Sequence, residues 1–219
     1  MIRALFLAVG GLLFSASGFC QTVGVFLDFD SAPSRTSLEV MKQEVAALLR
    51  PSGVLLDWRL AAENRGDASF ADLVLLKFQG KCKADAWTGL TDAGRTRTLG
   101  ATKVAGGRVL PFSEVKCDAV RQALSYLRPE ASTLERQRAM GLAMGRVVAH
   151  ELYHVLARTT AHAARGLAQA AESMQDLVAA RPAFFSTEAT EAIRQALARW
   201  GGLNPPLPRC VRRSRGRRD

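Results

Sequence analysis

Three histidines are all that the 219-residue chain contains, and His150, His154 and His162 fall within thirteen positions. The first two are four apart in the run Val147-Val148-Ala149-His150-Glu151-Leu152-Tyr153-His154. On a helix, residues four apart lie about 40° apart around the axis and about 6 Å along it, so both rings can converge on one metal ion. Glu151 sits one step round, where a carboxylate can take a proton from a water held at that metal. With His162 as the third ligand, a zinc ion keeps its fourth position for water, as catalytic zinc sites do. The plain alternative makes the histidines ordinary polar groups on an amphipathic helix. The apolar flanks, the third histidine and an export signal weigh against it.

This H-E-x-x-H run resembles that of the zincin metallopeptidases, and with a third histidine close behind it looks most similar to a metzincin. The motif covers residues 150–162, and the order of elements before it fits as well. The metzincin pattern has a glycine three residues after the second histidine and the third histidine three further on. Ala157 and Thr160 occupy those positions, so His162 comes two residues later and Arg158, Thr159, Thr160 and Ala161 must swing it back. The related gluzincin branch implies a glutamate from a second helix instead, which makes Glu172 the alternative third ligand.

The resemblance implies an α+β, zincin-like fold and zinc-dependent hydrolysis of a peptide or protein substrate, with Glu151 as general base. It also implies a methionine turn beneath the metal, for which Met174 is the candidate; core filling is the other reading of that residue. Tyr153 invites a role as oxyanion donor, but its helical direction differs from that of the histidines, so packing is expected.

The elements that must position these residues are legible from apolar periodicity. Residues 22–29 read as a buried strand, and 36–49 as a helix stopped by Pro51-Ser52-Gly53. Residues 54–60 and 71–78 read as two further strands, which gives a parallel crossover unit whose third strand joins the same sheet. Asp28, Asp30 and Asp57 tempt a metal reading, but at strand ends such residues serve turns and solvent. Residues 80–97 read as a loop. Residues 99–104 and 108–112 flank Ala105-Gly106-Gly107 as a hairpin, and Pro111 argues that its strand lies at a sheet edge.

An antiparallel edge strand above the metal helix is how zincins hold an extended peptide, so 99–104 is the candidate substrate rail. An edge that binds nothing is the alternative. Residues 115–127 have helical spacing, and Ser132 with Glu135 forms a capping box that opens a long helix running into the motif. Gly141 and Gly145 on that helix suggest close packing. Gly166 can turn the chain, and 168–180 and 187–200 read as helices. The expected fold is therefore a mixed sheet with an antiparallel edge strand on the active-site helix, followed by a small helical C-terminal part.

Length and composition suit one catalytic domain, 19–203, with its cleft between 19–157 and 158–203. Residues 1–18 have a charged start, an apolar centre and small residues before a cleavage point, so a signal peptide and a secreted or periplasmic location are expected. A lipid anchor at Cys20 is the weaker reading, because Phe19 stands where a small residue belongs.

In an oxidising compartment Cys82 and Cys117 are expected to pair, with Cys20 and Cys210 able to form a second bridge, although four cysteines permit three pairings. The formal charge is +10, and half of it lies in residues 209–219, where six arginines face one aspartate. That tail, with the proline-rich linker before it from 204, reads as solvated and disordered, with weak binding to anionic surfaces as its functional reading. No glycine-rich phosphate loop follows a strand and no nucleic-acid motif is present, so no nucleotide or specific nucleic acid is expected. A monomer is expected. The rival function class is a non-catalytic, zinc-stabilised exported protein that attaches to anionic surfaces through the arginine tail.

Overall fold

Strand β1 (Gln21–Ser31) is an inner strand of the sheet, paired on both sides. The structure, a computed structural model, describes residues 21–63, 70, 72–84, 98–127, 130–170, 176–177, 179 and 181–201. The signal segment, Cys20, the tail with Cys210, Glu172 and Met174 lie outside the described residues.

Along β1 the residues Val23, Val25 and Leu27 point to one face and are buried, the period of two that a strand imposes. Helix α1 (Arg35–Leu49) covers that face with Met41, Val45, Leu48 and Leu49. Ser34 caps its start by accepting from the Ser37 amide at 3.1 Å, and Gly53, at φ 75°, turns the chain into β2 (Val54–Leu60). β2 and β3 (Asp72–Lys81) both pair parallel to β1, so the predicted crossover unit forms with its third strand in the same sheet. Strands β4 (Gly100–Ala105) and β5 (Arg108–Lys116) form the expected hairpin around Gly106 and Gly107, and the sheet order is β2-β1-β3-β5-β4.

Three expectations need correction. The strand containing Pro111 is not the edge: β5 lies between β3 and β4, and the edge on that side is β4. Proline is tolerated there because β3 pairs with β5 only from Phe112 onward, and the β4 register is interrupted between Thr102 and Val104. Pro111 sits in that interruption, where its missing amide breaks no regular ladder. The helix expected from 115 begins at Cys117 as α2 (Cys117–Leu127). Val115 is spaced to suit a helix, but it is fully buried as the partner of Phe78 and Gly100, and sheet packing overrides the local pattern. Of the loop expected at 80–97, Gly80 and Lys81 belong to β3 and 85–97 lie outside the described residues.

Helix α3 (Thr133–Ala157) carries the motif. Its 25 residues span about 37 Å. The capping box is present: the Ser132 amide donates to Glu135 Oε2 at 2.8 Å, and the Glu135 amide donates to Ser132 Oγ at 3.4 Å. Gly141 and Gly145 face α1 so closely that a Cβ on Gly141 would meet the Ser37 carbonyl oxygen at 2.5 Å, and one on Gly145 would meet Glu44 Cβ at 2.9 Å. Small residues there let the two helices lie almost backbone to backbone, which fixes α3 over the sheet.

A disulfide joins Cys82, just past β3, to Cys117 at the start of α2, with Cα atoms 4.8 Å apart. After α3 the chain crosses irregular structure, bridges Gly166 to Phe185, and enters α4 (Thr187–Gly201), which packs on α3. Of the helix expected at 168–180, residues 168–170 form turns and bends instead, 176–177 are helical, and most of the remainder lies outside the described residues. Among the described residues the fold is α+β, with a five-stranded mixed sheet and four helices. None of those helices is long and apolar enough to cross a membrane.

Candidate metal centre

The three histidines meet where the end of α3 faces the loop that follows it. Their ring centroids are 4.9 Å apart for His150 and His154, 5.4 Å for His150 and His162, and 4.8 Å for His154 and His162. One nitrogen from each lies within 4.8 Å of the others, and this is the group among the described residues that could hold a metal ion. Nitrogens tetrahedrally disposed at zinc–nitrogen distances would be about 3.3 Å apart. His150 Nε2 and His154 Nε2, at 3.2 Å, already meet that spacing.

The tautomers make the convergence informative. His150 Nδ1 lies 2.7 Å from the Leu167 carbonyl oxygen, and His154 Nδ1 lies 2.8 Å from that of Thr159. A carbonyl oxygen only accepts, so each Nδ1 carries its ring's proton. Each neutral ring then presents a lone pair at Nε2, and the two lone pairs face each other at 3.2 Å. Two acceptors at that distance repel unless a cation lies between them. The same backbone contacts fix ring orientation, the role that outer partners play around metal-bound histidines. Burial holds both imidazoles below the usual histidine range, with the carbonyl contacts opposing, and this keeps the ligand-competent neutral forms. His154 is buried, His150 half-buried and His162 exposed, so the centre opens to solvent on the His162 side.

The loop returns His162 through a left-handed turn. The glycine of the resembling pattern would stand at 157, but Ala157 is still helical and the chain reverses at Arg158, with φ 52° and ψ 41°. The Arg158 amide donates to the Val155 carbonyl, the Thr159 amide donates to the His154 carbonyl at 3.1 Å, and the Ala161 amide donates to Thr159 Oγ1 at 3.0 Å. Beyond His162, the Ala163 amide donates to the Ala168 carbonyl and the Leu167 amide to the Phe184 carbonyl, both at 2.8 Å. His162 thus rides on a loop pinned on both sides. The Arg158 side chain reaches Asp72 Oδ1 at 3.2 Å, which anchors the turn to the start of β3.

Glu151 lies against the edge strand. It is 5% exposed, and Thr102 Oγ1 on β4 donates to its Oε2 at 2.6 Å. Burial raises its pKa, with the Thr102 hydrogen bond and His154 opposing. Tyr153 is buried and stacks on Phe185 with centroids 6.0 Å apart, so the expected packing role is what the structure shows. Asp28 and Asp30 pair with Lys77, and Asp57 with Arg59, as exposed ion pairs away from the histidines.

Several contributors were not evident from the sequence. The carbonyls of Thr159 and Leu167 leave no trace in side-chain identity. Thr102 had a readable signal: on the predicted strand it shares a face with Gly100, turned toward α3. Arg146 lies one turn before His150 and is 2% exposed, with Nε donating to Glu44 Oε1 at 3.0 Å and its other nitrogens to the carbonyls of Asp176 and Arg181 at 2.5 and 2.8 Å. It clamps the segment after the metal loop onto α3. An arginine inside an apolar helical run was the sign to look for.

No protein-family model matches the chain, and no curated protein matches it.

Proposed function

We propose that this protein is an exported zinc-dependent metallopeptidase of zincin type, with His150, His154 and His162 holding the ion and Glu151 as general base. The observation that carries the proposal is the convergence of three imidazoles whose protonated nitrogens on His150 and His154 are tied to backbone carbonyls, leaving Nε2 lone pairs aimed at one point. Three nitrogen donors with an open side suit zinc, which in such sites makes water acidic enough to attack near neutral pH and polarises a carbonyl.

The protein's own groups supply the rest. Glu151, one position along the helix from His150, accepts the proton of the attacking water and passes it to the leaving nitrogen. Among the described residues strand β4 pairs with β5 alone, so its outer side offers an edge to an extended peptide as a sixth strand, directly beside Glu151. The buried Cys82–Cys117 disulfide supports an oxidising, extracytoplasmic location. The chemistry can be separated from mere binding by Glu151→Gln. This variant should bind one zinc per chain and lose casein hydrolysis, whereas hydrolysis at the wild-type rate would overturn the role of Glu151. Zinc bound by a wild-type protein that cleaves nothing would leave the non-catalytic reading in its place.

A further inference from the structure

Strand β4 presents two successive inward positions to Glu151. A Cβ at Gly100 would lie 2.6 Å from Glu151 Oε1 and 2.8 Å from Val147 Cγ1, distances that real contacts do not reach, so the carboxylate lies where a side chain at residue 100 would displace it. Two residues on, Thr102 Oγ1 lies 2.6 Å from Glu151 Oε2, 3.2 Å from the Glu151 carbonyl oxygen and 2.9 Å from Ser113 Oγ. A hydroxyl has one proton to give. The Thr102 proton goes to Oε2, its shortest contact, and Ser113 donates to Thr102. Ser113 is 1% exposed and stands opposite Thr102 in the β4–β5 register, so its hydroxyl has a fixed place. The hydroxyl chain crosses the last two strands of the sheet and ends on one oxygen of the base.

We infer that Thr102 is a positioning residue for Glu151: its hydroxyl, set by Ser113, occupies Oε2 and fixes the carboxylate so that Oε1 is the oxygen left to exchange the proton. The strand offered to a peptide is then the same strand that aims the base, so a substrate seated on β4 is registered to the carboxylate through one residue. The proton-exchange part of this inference rests on the peptidase reading; the positioning part does not.

Two variants and two readouts test it. Thr102→Val keeps the shape and removes the hydroxyl, and Thr102→Ser keeps the hydroxyl. In crystals of the metal-free protein, the Glu151 carboxylate should leave its place beside β4 in Thr102→Val and keep it in Thr102→Ser. In the zinc-loaded protein, Thr102→Val should lower kcat about tenfold with KM and zinc content unchanged, the loss of one hydrogen bond to a charged group, and Thr102→Ser should restore most of it. A Glu151 side chain that stays in place in Thr102→Val overturns the inference, and so does a Thr102→Ser enzyme as slow as Thr102→Val. If the wild-type protein hydrolyses no peptide, the peptidase reading fails alone, and the crystal comparison still decides whether Thr102 holds Glu151.

Discussion

Thr159 grips His154 twice: its amide donates to the His154 carbonyl at 3.1 Å, and its carbonyl accepts from His154 Nδ1 at 2.8 Å. One loop residue thus caps the helix end and fixes the His154 ring on it. Thr159→Pro removes the donating amide and disfavours the turn before it. Zinc affinity should fall about 10–100-fold, the usual loss when an outer partner of a ligand is disturbed. Competition with a chromophoric chelator measures this, and an unchanged affinity would show that the Thr159 contact does not orient the ring.

Arg158 is the only described residue other than glycine with positive φ, at 52°. The left-handed conformation costs an ordinary side chain about 1–2 kcal/mol. Arg158→Gly relieves that cost and gives up a partly exposed ion pair with Asp72, worth at most about 1 kcal/mol, so its stability should stay within about 1 kcal/mol of wild type. Arg158→Val keeps the conformational cost, worsened by a branched Cβ, and loses the pair as well. Urea unfolding should place the valine variant at least about 1 kcal/mol below the glycine variant. Equal stabilities would mean the turn is not held left-handed.

The Cys82–Cys117 bridge closes a loop with a sequence separation of 35. Chain-entropy reasoning gives it about 4 kcal/mol through the unfolded state, and measured losses for native bridges run about 2–5 kcal/mol. Replacing both buried cysteines with alanine should lower the unfolding free energy by that order. A double variant as stable as wild type would contradict the bridge's place at the junction of β3 and α2.

Asp72 lets burial and charge pairing be weighed against each other. Burial raises its pKa above the ordinary carboxylate value, with Arg158 opposing. The folded state then keeps the proton to higher pH than the unfolded chain. Over the window between the two values the folded state binds more protons, so stability falls as pH rises. Subtracting the pH profile of Asp72→Asn from that of wild type should leave a difference that declines as pH climbs from the ordinary carboxylate range and flattens above the folded-state pKa. A difference that grows with pH would mean that Arg158 governs the group.

Much of this architecture could be read in advance, because the signals were periodic. The alternation of Val23, Val25 and Leu27, the helical spacing of Met41, Val45 and Leu48, and the pair Ser132 and Glu135 each reflect a local rule that the fold obeys. The helical pairing of His150 with His154 was equally local. The place of β5 within the sheet was hidden, because Pro111 marks only where pairing lapses, and the lapse depends on how far β3 extends alongside. The return of His162 was open for a similar reason: its loop turns on backbone bonds from Arg158, Thr159 and Leu167, and any side chain able to tolerate them would serve. Thr102 was visible as an inward polar residue on a strand, but its partner is 49 positions away and appears only once β4 is laid on α3.

The most direct test of the central claim is X-ray absorption at the zinc edge on protein loaded with one equivalent of the ion. The account predicts three imidazole nitrogens at about 2.0–2.1 Å and one further light ligand from solvent, with one imidazole lost in His162→Ala. Two imidazoles and a carboxylate oxygen, unchanged in His162→Ala, would transfer the third position to Glu172; a chain that retains no zinc would contradict the account altogether.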